Sequence, residues 1–288
     1  MPDNSHVTIC EVGPRDGLQN EAQFVSTEDK VQLINLLSAT GLNYIEAASF
    51  VSPKWVPQMA DGSDVLARIA RKKRVVYAAL TPNLRGYEDA LEADVDEVAI
   101  FASASETFSF KNINRSIADS LTLYEQVCRR AEVDGIPVRG YVSCAIACPY
   151  EGPIAPDAVR FVAASLLRMG CREISLGDTI GVATPGDVTA LLAVILAEIP
   201  AAKVAGHFHD TSGRALDCIK ASLDQGLRIF DASIGGAGGC PFAPGAKGNV
   251  ATHEVAQLLE AKGFATGIDV QALQNATNFM QQILGRRS

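Results

Sequence analysis

Short apolar runs rich in β-branched residues recur along the chain and predict eight β-strands. Each run is four to six residues long and is bounded by polar or turn-forming residues, a pattern that is typical of buried strands. The predicted strands span residues 7–10, 44–47, 75–80, 97–101, 138–143, 173–176, 204–208 and 229–234.

The segments between these runs predict helices. In the first segment Ser26 is a suitable N-cap, Val31, Ile34 and Leu37 fall on one helical face, and Gly41 marks the end. The same kind of signal recurs along the chain, so that helices alternate with strands.

Later segments carry matching boundary signals. Thr184 followed by proline opens another helix, and Gly170 and Gly226 each precede a predicted strand, where a helix should end. Beyond the eighth strand, residues 253–263 and 269–284 predict two further helices.

Alternating strands and helices imply parallel strands joined by right-handed crossovers, and eight such units close a barrel. The alternative is a doubly wound sheet, which would need a glycine-rich phosphate loop after the first strand. That position reads GPRDG, which is no dinucleotide fingerprint. The sequence therefore predicts an α/β fold, a (β/α)8 TIM barrel with extra C-terminal helices, in one domain spanning residues 1–288.

The composition excludes several classes of function. The formal net charge is −8, whereas a protein that follows nucleic-acid phosphates needs a basic excess. No apolar stretch is long and charge-free enough to span a bilayer, and the first residues lack the layout of a signal peptide. Seven cysteines, an odd number, indicate free thiols in a reducing compartment. We therefore expect a cytoplasmic protein that binds neither nucleic acid nor membranes.

Polar side chains follow several predicted strands, at the end of a barrel where catalytic residues lie. Any one of them could belong to a structural ion pair or a turn, but their shared position at one mouth favours a functional site. The set comprises Glu11, Arg15, Asp16, Glu46, Ser49, Ser175, Asp178, His207, His209, Asp210, Cys240 and Asn249.

Two of the four histidines, His207 and His209, lie two positions apart in GHFHDTSG. On a strand this spacing puts both side chains on the same face. With Asp16 and Asn249 they offer two imidazoles and two oxygens, a set that suits an octahedral Mg²⁺ or Mn²⁺ ion. Structural zinc would normally recruit closely spaced thiolates, and catalytic zinc is the less favoured alternative.

Arg15 and Cys240 are the candidates for chemistry beside the metal. Arg15 supplies a fixed cation that could stabilise a developing oxyanion. Glycines precede Cys240 and Pro241 follows it, so that a flexible loop could carry the thiol over a substrate as an acid or a base. Four other cysteines are expected to be small buried groups, namely Cys10, Cys128, Cys171 and Cys218.

Six stretches of the chain resemble the 3-hydroxy-3-methylglutaryl-CoA lyase family, whose members are divalent-metal (β/α)8 lyases related to the isopropylmalate and homocitrate synthases. The resemblance runs from about Val7 to the last helices, and GPRDGLQNE and the GGCP loop are far more specific than the lone HFH. The stretches are EVGPRDGLQNE, SFVSPKWVPQMA, GYVSCAIACPYEG, EISLGDTIGVATP, HFHDT and GGCPFAPGAKGN.

The resemblance implies cleavage of hydroxymethylglutaryl-CoA to acetyl-CoA and acetoacetate. It places the metal on Asp16, His207, His209 and Asn249. It also implies catalytic roles for Cys240, Arg15, Glu46 and Asp178.

The substrate is expected to be an acyl-CoA. Asn112 lies in KNIN, which resembles the family's CoA-contacting loop. Ser49 and Ser175 are expected to contact the substrate together with Arg15. We also expect a homodimer or a higher homo-oligomer.

The chain departs from the family pattern after the His-Asp-Thr motif, where Ser212 and Arg214 replace the tyrosine and glutamine that are common there. Three alternatives remain open. A synthase of the same superfamily would commonly carry an additional C-terminal domain. A lyase for a related 3-hydroxyacyl-CoA, such as citramalyl-CoA or a longer branched 3-hydroxyglutaryl-CoA, would use the same site. A catalytically silent metal- or CoA-binding barrel would show no turnover.

Overall fold

Eight parallel strands close into a barrel in the computed structural model, which describes residues 5–238 and 248–286. Each strand pairs with its neighbours in the sequence, and β1 also pairs with β8, where Thr8 lies opposite Ile229 and Glu11 opposite Ala232. The strands are β1 Thr8–Glu11, β2 Tyr44–Ser49, β3 Val76–Leu80, β4 Glu97–Ser103, β5 Val138–Ser143, β6 Glu173–Asp178, β7 Val204–Phe208 and β8 Ile229–Ala232.

Helices alternate with these strands and pack around the barrel. They are α1 Thr27–Ser38, α2 Gly62–Arg68, α3 Leu84–Glu92, α4 Glu106–Ile113, α5 Ile117–Asp134, α6 Pro156–Arg168, α7 Pro185–Ile195, α8 Ala215–Asp224, α9 Thr252–Ala261 and α10 Val270–Ile283. Both helices predicted beyond the last strand are present, as α9 and α10. The predicted (β/α)8 barrel with extra C-terminal helices is confirmed, and the doubly wound alternative is wrong because the sheet closes.

Local sequence signals place the helix boundaries where they were expected. The Ser26 side chain accepts the backbone N–H of Asp29 at 3.2 Å and caps α1. Thr184 forms a reciprocal capping box at the start of α7. Gly170 and Gly226 adopt φ angles of +110° and +94°, a conformation that other residues rarely reach, which explains glycine just before β6 and β8.

Three strands run two residues further than their apolar patterns predict, since polar residues continue the backbone ladder. Asp178, for example, still lies opposite Phe208 at the end of β6. The three strands end at Ser49, Ser103 and Asp178. The last strand instead stops at Ala232, because Ile234–Gly236 turns into a short 3-10 helix.

Side chains alternate between the helix layer and the barrel interior along each strand. In β6, Ile174 and Leu176 join the apolar core under the helices. Barrel interiors are usually filled by branched apolar side chains, but this one holds many ionisable groups. They are Glu46, Glu97, Arg139, Glu173, His207 and Asp231.

Two sequence-based expectations about composition can be compared with the structure. Within the described residues, no helix is both long and apolar enough to cross a membrane. Cys10, Cys128, Cys171 and Cys218 are buried free thiols, as expected. The prediction for Cys240 falls outside the described residues.

Candidate active site

Asp16, His207 and His209 come together at the carboxyl end of the barrel. One ligand atom from each of these residues lies within 4.8 Å of the others. Asp16 belongs to a single helical turn, Gly13–Gly17, that directly follows β1. His207 is in β7 and His209 lies one residue beyond it. The three predicted ligands therefore form one cluster, although β1 and β7 are far apart in the sequence.

The two histidines lie on the same face, as their spacing predicts. Their ring centroids are 5.3 Å apart. His209 forms an antiparallel backbone bridge with Asn249, and this bridge brings the fourth predicted ligand to the cluster. Asn249 Nδ2 donates to Asp16 Oδ2 at 2.8 Å and to the carbonyl oxygen of Ala237 at 3.2 Å. Its amide nitrogen is thus occupied, and Oδ1 is the atom that can serve as a ligand.

The surroundings of the cluster shift the pKa values of its three ionisable side chains in different directions. Burial raises the pKa of Asp16, but the charges of Arg15, His207 and His209 outweigh it and lower the pKa to about 2. Burial and the neighbouring His207 lower the pKa of His209 to about 4. Burial opposes the protonation of His207, whereas its hydrogen bond to Asp231 and that residue's charge raise the pKa of His207 overall.

These residues fit a divalent cation. Among the described residues, His209 Nδ1 is buried and has no hydrogen-bond partner, an arrangement that is costly unless another group binds there. An ionised carboxylate, two imidazoles and an amide oxygen are suitable ligands for such an ion. Asp16, His207, His209 and Asn249 are the residues that would hold it.

Arg15 is fixed beside the cluster by two carboxylates. Its Nη1 donates to Asp16 Oδ1 at 2.6 Å, and its Nε donates to Glu46 Oε2 at 2.7 Å. The guanidinium also lies over the Tyr141 ring, 5.5 Å from the centroid. Because the side chain is only 7% exposed, its charge acts in a setting with little solvent screening.

Glu46 is fully buried and holds Arg15 with one oxygen only. Burial raises its pKa in spite of the charge of Arg15. Among the described residues, Glu46 Oε1 is buried without a hydrogen-bond partner. Ser49, three residues further along β2, likewise has a buried hydroxyl without a partner. Both side chains thus keep polar atoms that a bound molecule could use.

Asp178 lies at the carboxyl end of β6, but its oxygens are engaged by the loop that follows. They accept the backbone N–H groups of Val182 and Ala183 at 3.2 and 2.9 Å. Arg214 donates to the carbonyl oxygens of the same two residues, and Ser212 donates to that of Gly181. The two residues that depart from the family pattern therefore tie the loop after β7 to the loop after β6.

Three further predicted residues lie in different places. The hydroxyl of Ser175 donates to Asp231 Oδ2 at 2.7 Å inside the barrel. Asn112 lies on α4 and is exposed. Cys240 lies outside the described residues. The substrate and proton-transfer roles that the sequence suggests for these residues stay predictions.

Asp231, Arg139 and Tyr141 are residues of the interior that sequence reasoning missed. A continuous path of polar contacts joins them to the predicted site. The only signal for Asp231 and Arg139 is a charged residue within an apolar, strand-forming run. The path runs through Asp16, Arg15, Glu46, Tyr141, Arg139, Asp231 and His207.

Glu11, another residue at the predicted mouth, forms hydrogen bonds that hold neighbouring segments of the backbone together. It accepts the backbone N–H groups of Gly13 and Ile234 and the hydroxyl of Thr252. Burial raises its pKa from 4.5 to about 7. Its contacts join the turn after β1 to the turn after β8 and the start of α9.

The model of the HMGL-like family matches residues 6–280 of the chain. The chain belongs to this family. It is 53% identical over 283 residues to the cytoplasmic 3-hydroxy-3-methylglutaryl-CoA lyase of Danio rerio, with 98% of this chain and 84% of that protein covered. It is 52% identical over 280 residues to a 3-hydroxy-3-isohexenylglutaryl-CoA/hydroxy-methylglutaryl-CoA lyase of Pseudomonas aeruginosa, with 97% and 93% covered.

The fold also matches a solved member of this group. The crystal structure of the HMG-CoA lyase from Brucella melitensis superposes with a TM-score of 0.97 at 55% identity, covering 98% of this chain and 99% of that one. The resemblance stated from the six sequence stretches is thereby confirmed over nearly the whole chain.

Proposed function

We propose that the chain is a carbon–carbon lyase that cleaves hydroxymethylglutaryl-CoA to acetyl-CoA and acetoacetate. The observation that carries the proposal is the cluster of Asp16, His207 and His209, with Arg15 held beside it, at the mouth of a barrel of the HMGL-like family. Mg²⁺ or Mn²⁺ is the proposed ion, because the four proposed ligands include a carboxylate and an amide oxygen and no thiolate.

The reaction breaks the bond between the hydroxyl-bearing carbon and the α-carbon of the thioester. The hydroxyl loses its proton, its carbon becomes the ketone of acetoacetate, and the electron pair passes to a thioester enolate. A divalent cation bound by the four ligands would supply positive charge that favours loss of the hydroxyl proton. Glu46 Oε1, which is buried and has no hydrogen-bond partner in the described part of the chain, is the atom that we assign to receive this proton.

Arg15 is the residue that we assign to the enolate oxygen. Hydrogen bonds to Glu46 and Asp16 and an ion pair between Nη2 and Glu46 hold the guanidinium in place, so the remaining N–H groups keep a fixed direction. A cation that is already oriented stabilises developing negative charge without reorganisation. The enolate carbon then needs a proton, which we assign to Cys240, and this step yields acetyl-CoA.

The remaining predicted residues have supporting roles in the proposal. Asp178 shapes the loop between β6 and α7 through the amides of Val182 and Ala183. Ser49 and Ser175 are proposed contacts for the acyl portion, and Asn112 for CoA. A cytoplasmic location and a homodimer or a higher homo-oligomer complete the proposal.

The name of the relative in Pseudomonas aeruginosa includes a longer branched 3-hydroxyglutaryl-CoA, and this ester is a second candidate substrate. Steady-state assays over hydroxymethylglutaryl-, citramalyl- and isohexenylglutaryl-CoA with Mg²⁺ or Mn²⁺ test the choice. We expect the highest kcat/KM with hydroxymethylglutaryl-CoA. Preference for another ester would move the function to the related lyase, and absence of turnover with all three would indicate a silent barrel.

A further inference from the structure

We propose that Asp231, held by Arg139, is a positioning residue that fixes the ring orientation and tautomer of the metal ligand His207. The inference rests on the proposed metal site and adds a residue that neither the sequence reasoning nor the ligand set includes. Asp231 does not touch the substrate or the ion in this scheme, and it acts only through His207.

Three donors converge on the Asp231 carboxylate. His207 Nδ1 lies 3.0 Å from Oδ2, and the Ser175 hydroxyl donates to the same oxygen at 2.7 Å. Arg139 Nη2 donates to Oδ1 at 2.7 Å. The side chains of Asp231 and Arg139 are completely buried. A guanidinium can only donate hydrogen bonds, so the Asp231 carboxylate must be the acceptor in its contact with Arg139.

The geometry around Asp231 selects one tautomer of His207. An acceptor at Nδ1 requires the ring proton to reside there, which leaves the lone pair on Nε2. That atom lies 3.9 Å from Asp16 Oδ2, on the side where the ligand cluster forms. A histidine binds a metal through the nitrogen that carries no proton, and its other N–H needs an oriented acceptor.

The second histidine of the cluster shows the contrast. His209 Nδ1 is buried without a hydrogen-bond partner among the described residues. Within the part of the chain that the structure describes, the Nδ1 atom of His207 faces a carboxylate and that of His209 does not. A buried Arg–Asp pair is expensive compared with apolar packing of equal volume, and its presence beneath a metal ligand is explained if it orients that ligand.

Asp231→Asn tests the inference with little change in shape. One side of the Asn amide can only donate, so at least one of the three donors loses its acceptor whichever way the amide turns. Facing the amide nitrogen towards Arg139 would oppose a charged group that can only donate. On the other side, the Ser175 hydroxyl and a neutral His207 ring can each become an acceptor. The nitrogen will therefore face His207, whose proton must move to Nε2, the atom needed by the metal.

Mn²⁺ alone, titrated into the full chain by calorimetry or by electron paramagnetic resonance, is the probe. Asp231→Asn should bind Mn²⁺ about 10–100-fold more weakly than the unaltered protein, the range typical of partners that orient a ligand. Glu173→Gln is the matched control, because Glu173 accepts from Nε of the same arginine at 2.7 Å but does not contact His207. It should keep the unaltered affinity. Equal losses in both variants would overturn the proposal in favour of a general network effect.

A second measurement is made on the unaltered protein and does not depend on the folding of an Asp231 variant. The chain has only four histidines, so ¹⁵N resonances of the rings can be resolved and that of His207 assigned with His207→Gln. In metal-free unaltered protein, at a pH where the ring is neutral, the proton should reside on Nδ1. A proton on Nε2, or unchanged Mn²⁺ affinity in folded Asp231→Asn, would overturn the inference. Failure of the unaltered protein to bind Mn²⁺ would instead refute the proposed metal site.

Discussion

Asn249 donates its side-chain amide to the Asp16 carboxylate at 2.8 Å, across 233 positions of the chain. The bond orients Asp16 and turns Asn249 Oδ1 into the atom that can face a cation. The backbone bridge between Asn249 and His209 sets the distance, since it aligns the segment after β8 with the end of β7.

Asn249→Ala should therefore weaken Mn²⁺ binding by about 10–100-fold, because it removes a ligand and the bond that orients Asp16. Calorimetric titration with Mn²⁺ measures the change. Asn278→Ala on the exposed face of α10 is the matched control, and it should bind Mn²⁺ as the unaltered protein does. An unchanged affinity in Asn249→Ala would remove Asn249 from the ligand set.

His207→Ala and Asp16→Ala test the core of the cluster. Each should abolish turnover and lower Mg²⁺ or Mn²⁺ affinity by more than about 100-fold, beyond the effect of outer partners, while circular dichroism still reports a folded barrel. His6→Ala, at an exposed position near the start of β1, is the control. Full turnover in a chelated, metal-free sample would contradict the metal proposal. A tightly bound zinc ion, with no activation by Mg²⁺, would change the identity of the proposed metal.

Arg15→Lys retains the positive charge but removes the planar guanidinium with its several N–H donors. If Arg15 holds the enolate oxygen, kcat should fall about 10²–10³-fold with little change in KM, because the lost interaction forms only as charge develops. Arg129→Lys, an exposed change on α5, controls for the substitution. A normal kcat with a raised KM would show that Arg15 only binds substrate.

Cys240→Ser keeps the size of the side chain but replaces a thiol with a pKa of about 8.5 by a group that hardly ionises. If Cys240 transfers the proton in the slow step, kcat should fall about 10²–10⁴-fold. Mn²⁺ affinity should hardly change, since Cys240 is not a proposed ligand. Alkylation of the unaltered protein should inactivate it, with protection by a bound substrate analogue. Near-normal turnover of the variant would exclude the thiol from the mechanism, and lost metal binding would reopen the case for zinc.

Glu11 is expected to make the free energy of unfolding depend on pH. Its pKa is about 7 in the fold and 4.5 as an ordinary carboxyl group, so the folded state binds more protons between these values. The free energy of unfolding should fall as pH rises from 4.5 through 7, by at most about 3 kcal/mol. Glu11→Gln keeps an acceptor for the two backbone amides and removes this dependence. Urea unfolding at several pH values measures the difference.

The control for this prediction is Glu132→Gln, at an exposed carboxyl group on α5. It should follow the same pH dependence as the unaltered protein. Parallel pH curves for Glu11→Gln and the unaltered protein would contradict the assignment of the raised pKa to Glu11.

The sequence could predict the barrel because each strand and helix carries its own signal. The apolar runs, the Ser26 cap and the glycines before β6 and β8 act over a few residues, and each was found where expected. The ligand cluster could also be predicted, since parallel strands in a barrel bring all their carboxyl ends to one mouth. Asp16, His207 and His209 needed only that rule to be placed together.

Contacts between residues far apart in the sequence determined the polar network inside the barrel, which the sequence did not predict. Arg139 and Asp231 are 92 positions apart and meet only because β5 and β8 face each other across the interior. A charged residue in an apolar run does not indicate its partner, because burial of a charge is tolerable only with the complementary group in place. Asp178 is a different case, because its carboxylate accepts two backbone N–H groups of its own loop, which the residue type alone does not indicate. The sequence by itself determined the barrel, its mouth and the ligand types, whereas tertiary structure determined how those ligands are oriented.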